Sequence, residues 1–325
     1  MNEEKKTIGV LTSGGDAPGM NAAIRAVVRA GINNGFSVVG IKRGYAGLLD
    51  GDIEEMSLRS VSYILQRGGT MLFSSRCPEF KEDRSIKKAI KILCENGIDY
   101  LVVIGGDGTF NGGARLSQAG FPVIALPATI DNDIGSTEYT IGFDTAVNTV
   151  IQMVDRVRDT AQSHDRCSVI EVMGRDAGYI ALDSGIACGA ISILVPENGP
   201  LNIERDIISK MVSTLRTGKQ NFIVIVAEGV GSATEISKKI EELTGITTNP
   251  VVLGYVQRGG TPSARDRVMA TLMGEHAVML CKENTINRAV ILKNGKISDE
   301  DITSAIAQTK SLDENLLRAA SEVSV

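Results

Sequence analysis

The sequence predicts an α/β fold of mainly parallel sheets, organised as two α/β layers facing each other across a cleft. Three observations carry this. Apolar runs rich in Val and Ile alternate with stretches of helical periodicity, the runs are continuously apolar, and Gly, Pro or Asp bounds each one. Continuous apolar strands between helices indicate a parallel sheet covered on both faces. At 325 residues, 43% of them hydrophobic, the chain is long enough for one large domain or two moderate ones with real cores.

The first strand, TIGVLT (7–12), runs into SGGDAPG, where glycines, Pro18 and the following alanines mark a turn into a helix. FSVVGI (36–41), DYLVVIGG (99–106) and FPVIALP (121–127) repeat the strand pattern. In FDTAVNTVIQMVDRVRDTA (143–161), Phe143, Val147, Val150, Ile151, Val154 and Val157 fall at steps of three, four and one, which gives a helix with one buried stripe. CSVIEVMG (167–174), ISILVPE (191–197), NFIVIVAEG (221–229) and VVLGYV (251–256) complete the strand series. LTSGGDAPGMNAAI and VMGRDAGYIAL share one plan of strand, Gly-Asp-bearing loop and helix of small residues, which suggests two similar units.

Composition narrows the function. A net charge of -5 and 4% aromatic residues argue against a nucleic-acid surface. The five cysteines are scattered without a C-x-x-C pair, so neither a disulfide frame nor a cysteine metal site is expected. MNEEKKTIGV lacks the apolar core of a signal peptide, and no apolar run approaches a membrane span. The expectation is a cytoplasmic protein with no membrane partner. His164 and His276 are its two histidines, which makes a carboxylate the natural candidate for a catalytic base.

Three strand ends carry chemistry. Gly14 and Gly15 in TSGGDAPGMNAAIR let backbone N–H groups approach a phosphate at a helix start, although a tight turn without ligand accounts for the same residues. No G-x-x-x-x-G-K-[ST] motif exists, and Gly106-x-Gly108-x-x-Asn111 departs from the dinucleotide fingerprint at its last glycine. In LVVIGGDGTFNGGARL, Asp107 sits between Gly106 and Gly108, with Thr109 as a candidate helix cap. That arrangement suits a polyphosphate lying against backbone, with one carboxylate holding Mg2+ directly or through water. PATIDNDIGST places Asp131 and Asp133 after a strand, where acids meet a ligand or simply form a turn. Arg166, Arg175, Arg258, Arg265 and Arg267 lie near strand ends or beside glycines in an acidic protein, which suggests a phosphorylated substrate.

LTSGGDAPGMNAAIR, RGGT, GGDGT, TIDNDI, MGRDAG, AEGV and QRGGTPSARDR, in this order from residue 11 to 267, resemble the bacterial ATP-dependent 6-phosphofructokinases over essentially the whole chain. GGDGT alone is shared with NAD and lipid kinases, but TIDND, MGR and QRGG would have no role there. The resemblance implies two Rossmann-like three-layer α/β/α domains with mainly parallel sheets facing across an active-site cleft. The larger, ATP-binding domain is expected at 1–141 plus about 256–306, and the smaller, fructose 6-phosphate-binding one at 142–255 plus about 307–325. The implied reaction is transfer of the ATP γ-phosphoryl to the 1-hydroxyl of fructose 6-phosphate in glycolysis.

By the same resemblance Asp131 is the general base, Thr129 and Arg175 stabilise the transferring phosphoryl, and Asp133 supports the loop or metal. Gly15, Arg76, Cys77, Gly106, Asp107, Gly108 and Thr109 fall to ATP, with Asp107 toward Mg2+. Thr129, Asp131, Met173, Gly174, Arg175, Glu228 and Arg267 fall to the sugar phosphate, with Arg166 and Arg258 reaching in from a neighbouring subunit of a homotetramer.

By the resemblance, pyrophosphate-using relatives carry Asp at the position of Gly108 and Lys at that of Ala128, where ATP enzymes have Gly at both; Gly108 favours ATP, while Ala128 fits neither pattern but adds only a methyl and no cation. Arg25, Arg29, Arg158 and Lys219 match an effector site. Ile191 replaces its metal-binding glutamate, and Thr217, Gln220 and Asn221 replace basic residues, so control by ADP is not expected. A catalytically silent regulatory paralogue would lack Asp131 or Arg175, and both are present.

Overall fold

The computed structural model describes residues 5–323, which divide into two compact units. One holds the described residues up to Ile130 with Ile134–Asp144 and Arg258–Lys310. The other holds Asp131–Asp133, Thr145–Gln257 and the residues from Ser311 onward. Residues 1–4 and 324–325, which the expected domain spans included, lie outside the described residues.

The first unit opens with β1 (Thr7–Ser13), α1 (Met20–Asn33), β2 (Ser37–Ile41), α2 (Gly44–Asp50) and β3 (Ile53–Glu55). It continues through α3 (Asp83–Glu95), β4 (Tyr100–Gly105), α4 (Asp107–Gln118), β5 (Val123–Thr129) and the short β6 (Ile141–Gly142). The second unit takes up α5 (Phe143–Ser163) from Thr145 and runs through β7 (Cys167–Val172), α6 (Tyr179–Ala187), β8 (Ser192–Leu194), α7 (Ser209–Leu215), β9 (Phe222–Ala227), α8 (Ala233–Thr244) and β10 (Thr248–Val252). The chain then returns to the first unit with α9 (Ala264–Lys282), β11 (Arg288–Lys293), β12 (Lys296–Asp301) and α10 (Ile302–Ile306), and α11 (Glu314–Val323) belongs to the second.

The first sheet has the order β12-β11-β5-β4-β1-β2-β3, with β6 beside β5. Its β1, β2, β4, β5 and β11 pair in parallel, and antiparallel β3 and β12 close the two edges. Every residue of β4 and β5 is buried, as continuous apolar runs require of central strands. On one face, Leu11, Leu101, Val103 and Ile291 pack with Leu48, Phe110 and Ile302 in one hydrophobic core. The second sheet, β10-β7-β9-β8, is parallel throughout. Phe222, Val224, Ile207, Ile236 and Ile240 centre its core. The helix over Phe143–Ser163 forms as the stripe predicts, with Phe143, Val150 and Val154 buried.

Two readings need correction. VVLGYV is not a strand: β10 ends at Val252, Gly254 turns at φ 53°, and Gly254–Arg258 is a 3-10 helix. The β11–β12 hairpin was not read, although Asn294 (φ 52°) and Gly295 (φ 70°) form the Asn-Gly turn that favours a two-residue hairpin.

Candidate active site

In the first unit, β5, β4 and β1 are adjacent and parallel, so their carboxyl ends emerge side by side. Ligands of open α/β sheets bind along such an edge. The Thr109 hydroxyl donates to the Ser13 carbonyl at 2.9 Å and ties the β1 end to α4. Gly105 makes that approach possible, since a Cβ there would lie 2.3 Å from Thr109 Oγ1 and 2.5 Å from Ser13 O. Thr109 is therefore not the cap expected from sequence: α4 begins at Asp107, Gly106 is its N-cap, and no side chain caps it. Uncapped N–H groups and the helix dipole together attract an anion.

Asp107 is exposed in the first turn of α4, where its Oδ1 accepts from Asn111 Nδ2 at 3.0 Å. A Cβ on Gly108 would meet nothing within 4 Å, so that position opens onto free space. Gly14 turns at φ 84° and its carbonyl accepts from the Ser74 hydroxyl at 2.5 Å. Arg258 Nη1 donates to the Asp16 carbonyl at 3.2 Å and would lie 2.6 Å from a Cβ on Gly15, so its guanidinium covers the first glycine turn of its own chain. Arg76 is exposed and Cys77 half-buried, and burial above all pushes the Cys77 thiol pKa up. Thr129 is buried at the end of β5, and its carbonyl accepts from Thr140 Oγ1 at 2.7 Å. Arg267 lies in the first turn of α9, its Nε donating to the Pro262 carbonyl at 2.8 Å.

In the second unit, Asp131 is 2% exposed and Arg175 Nε lies 3.7 Å from its Oδ2. Arg175 holds φ 54° and Gly174 φ 141° just beyond β7. A left-handed conformation costs a non-glycine residue roughly 1–2 kcal/mol, so the surroundings must enforce it. Glu228 does so: its Oε1 accepts from both Gly174 N at 3.2 Å and Arg175 N at 2.8 Å. Met173 N is held by Oε1 of Gln257 at 3.1 Å, and Gln257 is fully buried. Gln257 was not singled out from sequence; an amide heading the Gln-Arg-Gly-Gly run was the available signal. Asn132 turns at φ 52°, so the Asp131–Asp133 loop is a tight turn as well as a bearer of acids. Asp133 is half-buried and its charge contributes, after burial and Glu197, to raising the Tyr179 pKa.

Arg166 is half-buried where the chain enters β7, its carbonyl accepting from Phe222 N. Arg25 and Arg29 stand one turn apart on α1, and burial and then the Arg29 charge lower the Arg25 pKa. In the second unit Arg158 donates to the Cys188 carbonyl, and Lys219 has its pKa lowered by burial and then by Arg158. Ile191 is 1% exposed inside the second core.

A family model described as phosphofructokinase matches residues 7–281. Over 320 residues the chain is 52% identical to the ATP-dependent 6-phosphofructokinase of Bacillus cytotoxicus, covering 98% of this chain and 100% of the relative. It is likewise 52% identical to the ATP-dependent 6-phosphofructokinase of Clostridium acetobutylicum, over 98% and 99% of the two chains. Among solved structures, Pichia pastoris phosphofructokinase in the T-state superposes with a TM-score of 0.90 at 36% identity, over 99% of this chain and 37% of that longer one. A pyrophosphate-dependent phosphofructokinase from Marinobacter aquaeolei, 21% identical over 95% and 86% of the two chains, shares the fold with a TM-score of 0.85.

Proposed function

Because this chain belongs to the phosphofructokinase family, we propose that it works as an ATP-dependent 6-phosphofructokinase, moving the γ-phosphoryl of ATP to the 1-hydroxyl of fructose 6-phosphate. The observation that carries the chemistry is the buried Asp131 with Arg175 Nε at 3.7 Å. A carboxylate so placed can act as the general base that takes the proton of the attacking hydroxyl. The Arg175 guanidinium neutralises charge on the phosphoryl in flight, a reaction that is mostly positioning and electrostatics.

The first unit serves as the nucleotide side. The N-terminus of α4, the Gly14–Gly15 turn, Arg76 and Cys77 receive the phosphates and nucleoside of ATP, and Gly108 leaves space where a carboxylate would repel them. Among the described residues no group of three or more His, Cys, Asp or Glu side chains forms a metal cage. One exposed carboxylate, Asp107, fits Mg2+ carried by the nucleotide, because Mg2+ keeps several waters and phosphate oxygens. Held there by Asp107, Mg2+ would supply positive charge against the nucleotide's phosphates. The second unit is the sugar-phosphate side, with Met173, Gly174, Arg175 and Glu228 as ligands. In this reading the enzyme is a cytoplasmic homotetramer and Arg166 and Arg258 serve a neighbouring subunit. No helix of the described residues is long and apolar enough to cross a membrane.

The test is an assay of purified protein with fructose 6-phosphate and either donor. Formation of fructose 1,6-bisphosphate faster from ATP than from pyrophosphate supports the reading. Faster use of pyrophosphate, or no transfer from either, sinks it.

A further inference from the structure

The roles above leave the buried acid of the SARDR run without a task. Asp266, in the first turn of α9, is 0% exposed. Its Oδ1 accepts from the Tyr139 hydroxyl at 2.5 Å and from Gly142 N at 2.6 Å. Ser263 Oγ accepts from Asp266 N at 3.2 Å and donates to Asp144 Oδ2 at 2.5 Å, and Arg265 lies over the Tyr139 ring at 4.6 Å. A carboxylate is costly to bury, and several donors converging on it keep it in one place.

What it holds is the framework behind two of the strand ends. Gly142 closes β6, which pairs with the last residues of β5 in the register Ala128↔Ile141 and Thr129↔Gly142. The Thr140–Thr129 hydrogen bond fastens the same two segments. On the other side, Gly142 turns at φ 107° and a Cβ there would stand 2.6 Å from Ala17 Cβ. A Cβ on Gly19 would stand 2.6 Å from Ile141 Cγ2 and 3.5 Å from Asp266 Cβ. The turn after β1 and the end of β5 therefore both rest on the segment that Asp266 grips.

We propose that Asp266 is a positioning residue for phosphoryl transfer: by fixing Tyr139 and Gly142 it sets Thr129 at the end of β5 and the Gly14–Gly19 turn at the end of β1 in register for the nucleotide phosphates. This rests on the reading of the chain as an ATP-dependent phosphofructokinase. Displacements of about 1 Å from a residue remote from the chemistry cost roughly 10²-fold in rate.

The experiment compares Asp266→Ala, Asp266→Asn and Tyr139→Phe with the unmodified full chain, measuring the folded fraction by circular dichroism and kcat and both KM values per folded molecule. Asp266→Ala should lower kcat roughly 10²-fold and raise KM for ATP, with KM for fructose 6-phosphate within about twofold of normal. Asp266→Asn keeps an oxygen that can accept both bonds and should recover kcat to within roughly tenfold of normal. Tyr139→Phe removes one donor and should fall between them; it decides the matter if Asp266→Ala does not fold. Unchanged kcat per folded molecule in Tyr139→Phe and Asp266→Ala, or lost thermal stability with KM for ATP unmoved, overturns the proposal while the function stands. An unmodified protein that transfers nothing from ATP to fructose 6-phosphate overturns the functional reading and this proposal with it.

Discussion

The strand-to-helix junctions at Gly106–Thr109 and Gly174–Arg175 treat their backbone N–H groups in opposite ways. At the first, the helix starts on an uncapped glycine, Asp107 is exposed, and Gly108 faces open space. At the second, the chain's own Glu228 accepts both N–H groups, and Arg175 is held left-handed at φ 54°. One junction leaves main-chain donors for a ligand to take, which suits a polyphosphate whose oxygens any N–H can bind. The other spends its main-chain donors on internal order so that a side chain, the Arg175 guanidinium, stands 3.7 Å from Asp131. On the proposed function, backbone recognition would fall to the donor's phosphates and side-chain recognition to the reacting centre, where direction matters most.

The sharpest way to break this comparison is at the reacting centre itself. Asp131→Asn keeps the shape of the loop and removes the base, so kcat should fall by roughly 10²–10⁴ with fructose 6-phosphate binding largely kept. Near-normal turnover of the purified variant would take the base role from Asp131.

Arg175→Gly comes next and separates strain from function. Glycine relieves the left-handed cost of about 1–2 kcal/mol but adds about 0.5–1 kcal/mol of unfolded-state entropy, so the backbone terms should raise stability by about 0–1.5 kcal/mol. Turnover should drop roughly 10²–10³-fold, as for loss of one transition-state donor. Denaturant midpoints and kcat together check it: a variant both less stable and fully active would show that the surroundings neither strain Arg175 nor use it.

At the other junction the expected effect is smaller. Gly108→Asp finds room for its side chain, so it should fold normally and raise KM for ATP about 10–100-fold through repulsion of the inner phosphate, the size of one charge-assisted contact. An unchanged KM for ATP would mean that the phosphates do not pass Gly108.

The two junctions also differ in how legible they were. Gly106, Asp107 and Gly108 announce themselves, because a local run of glycines at a strand end has few uses. The clamp by Glu228 and Gln257 was hidden: each acts on backbone more than fifty positions away, and no local pattern encodes such a pairing. The strands 7–13, 100–105 and 123–129 were legible from continuous apolar runs, since burial on both faces leaves no polar positions. Thr109 was misread as a cap because hydroxyl capping is a local preference, and here the hydroxyl goes to Ser13, ninety-six positions earlier. β12, KISDED, escaped because an edge strand open to solvent carries little apolar signal.

The smallest expected effect concerns regulation. If the resemblance holds at Ile191, an apolar side chain replaces a metal-binding glutamate there, and it is 1% exposed within the second core that also holds Phe222 and Val224. It can neither coordinate a metal nor turn outward without leaving a void. Arg158 spends one donor on the Cys188 carbonyl, and the lowered Lys219 pKa reflects burial and the nearness of Arg158, with Thr217, Gln220 and Asn221 adding no charge. Two crowded cations suit a small anion such as phosphate or phosphoenolpyruvate better than a nucleoside diphosphate that arrives with its metal. Allosteric control needs differential affinity between two states, and a ligand that scarcely binds biases neither. Typical couplings shift affinity about 5–150-fold, whereas here millimolar MgADP at saturating ATP should move half-saturation by fructose 6-phosphate less than about twofold. Strong activation by ADP under those conditions, abolished by Arg25→Ala, would show a working effector site that does not need the missing carboxylate.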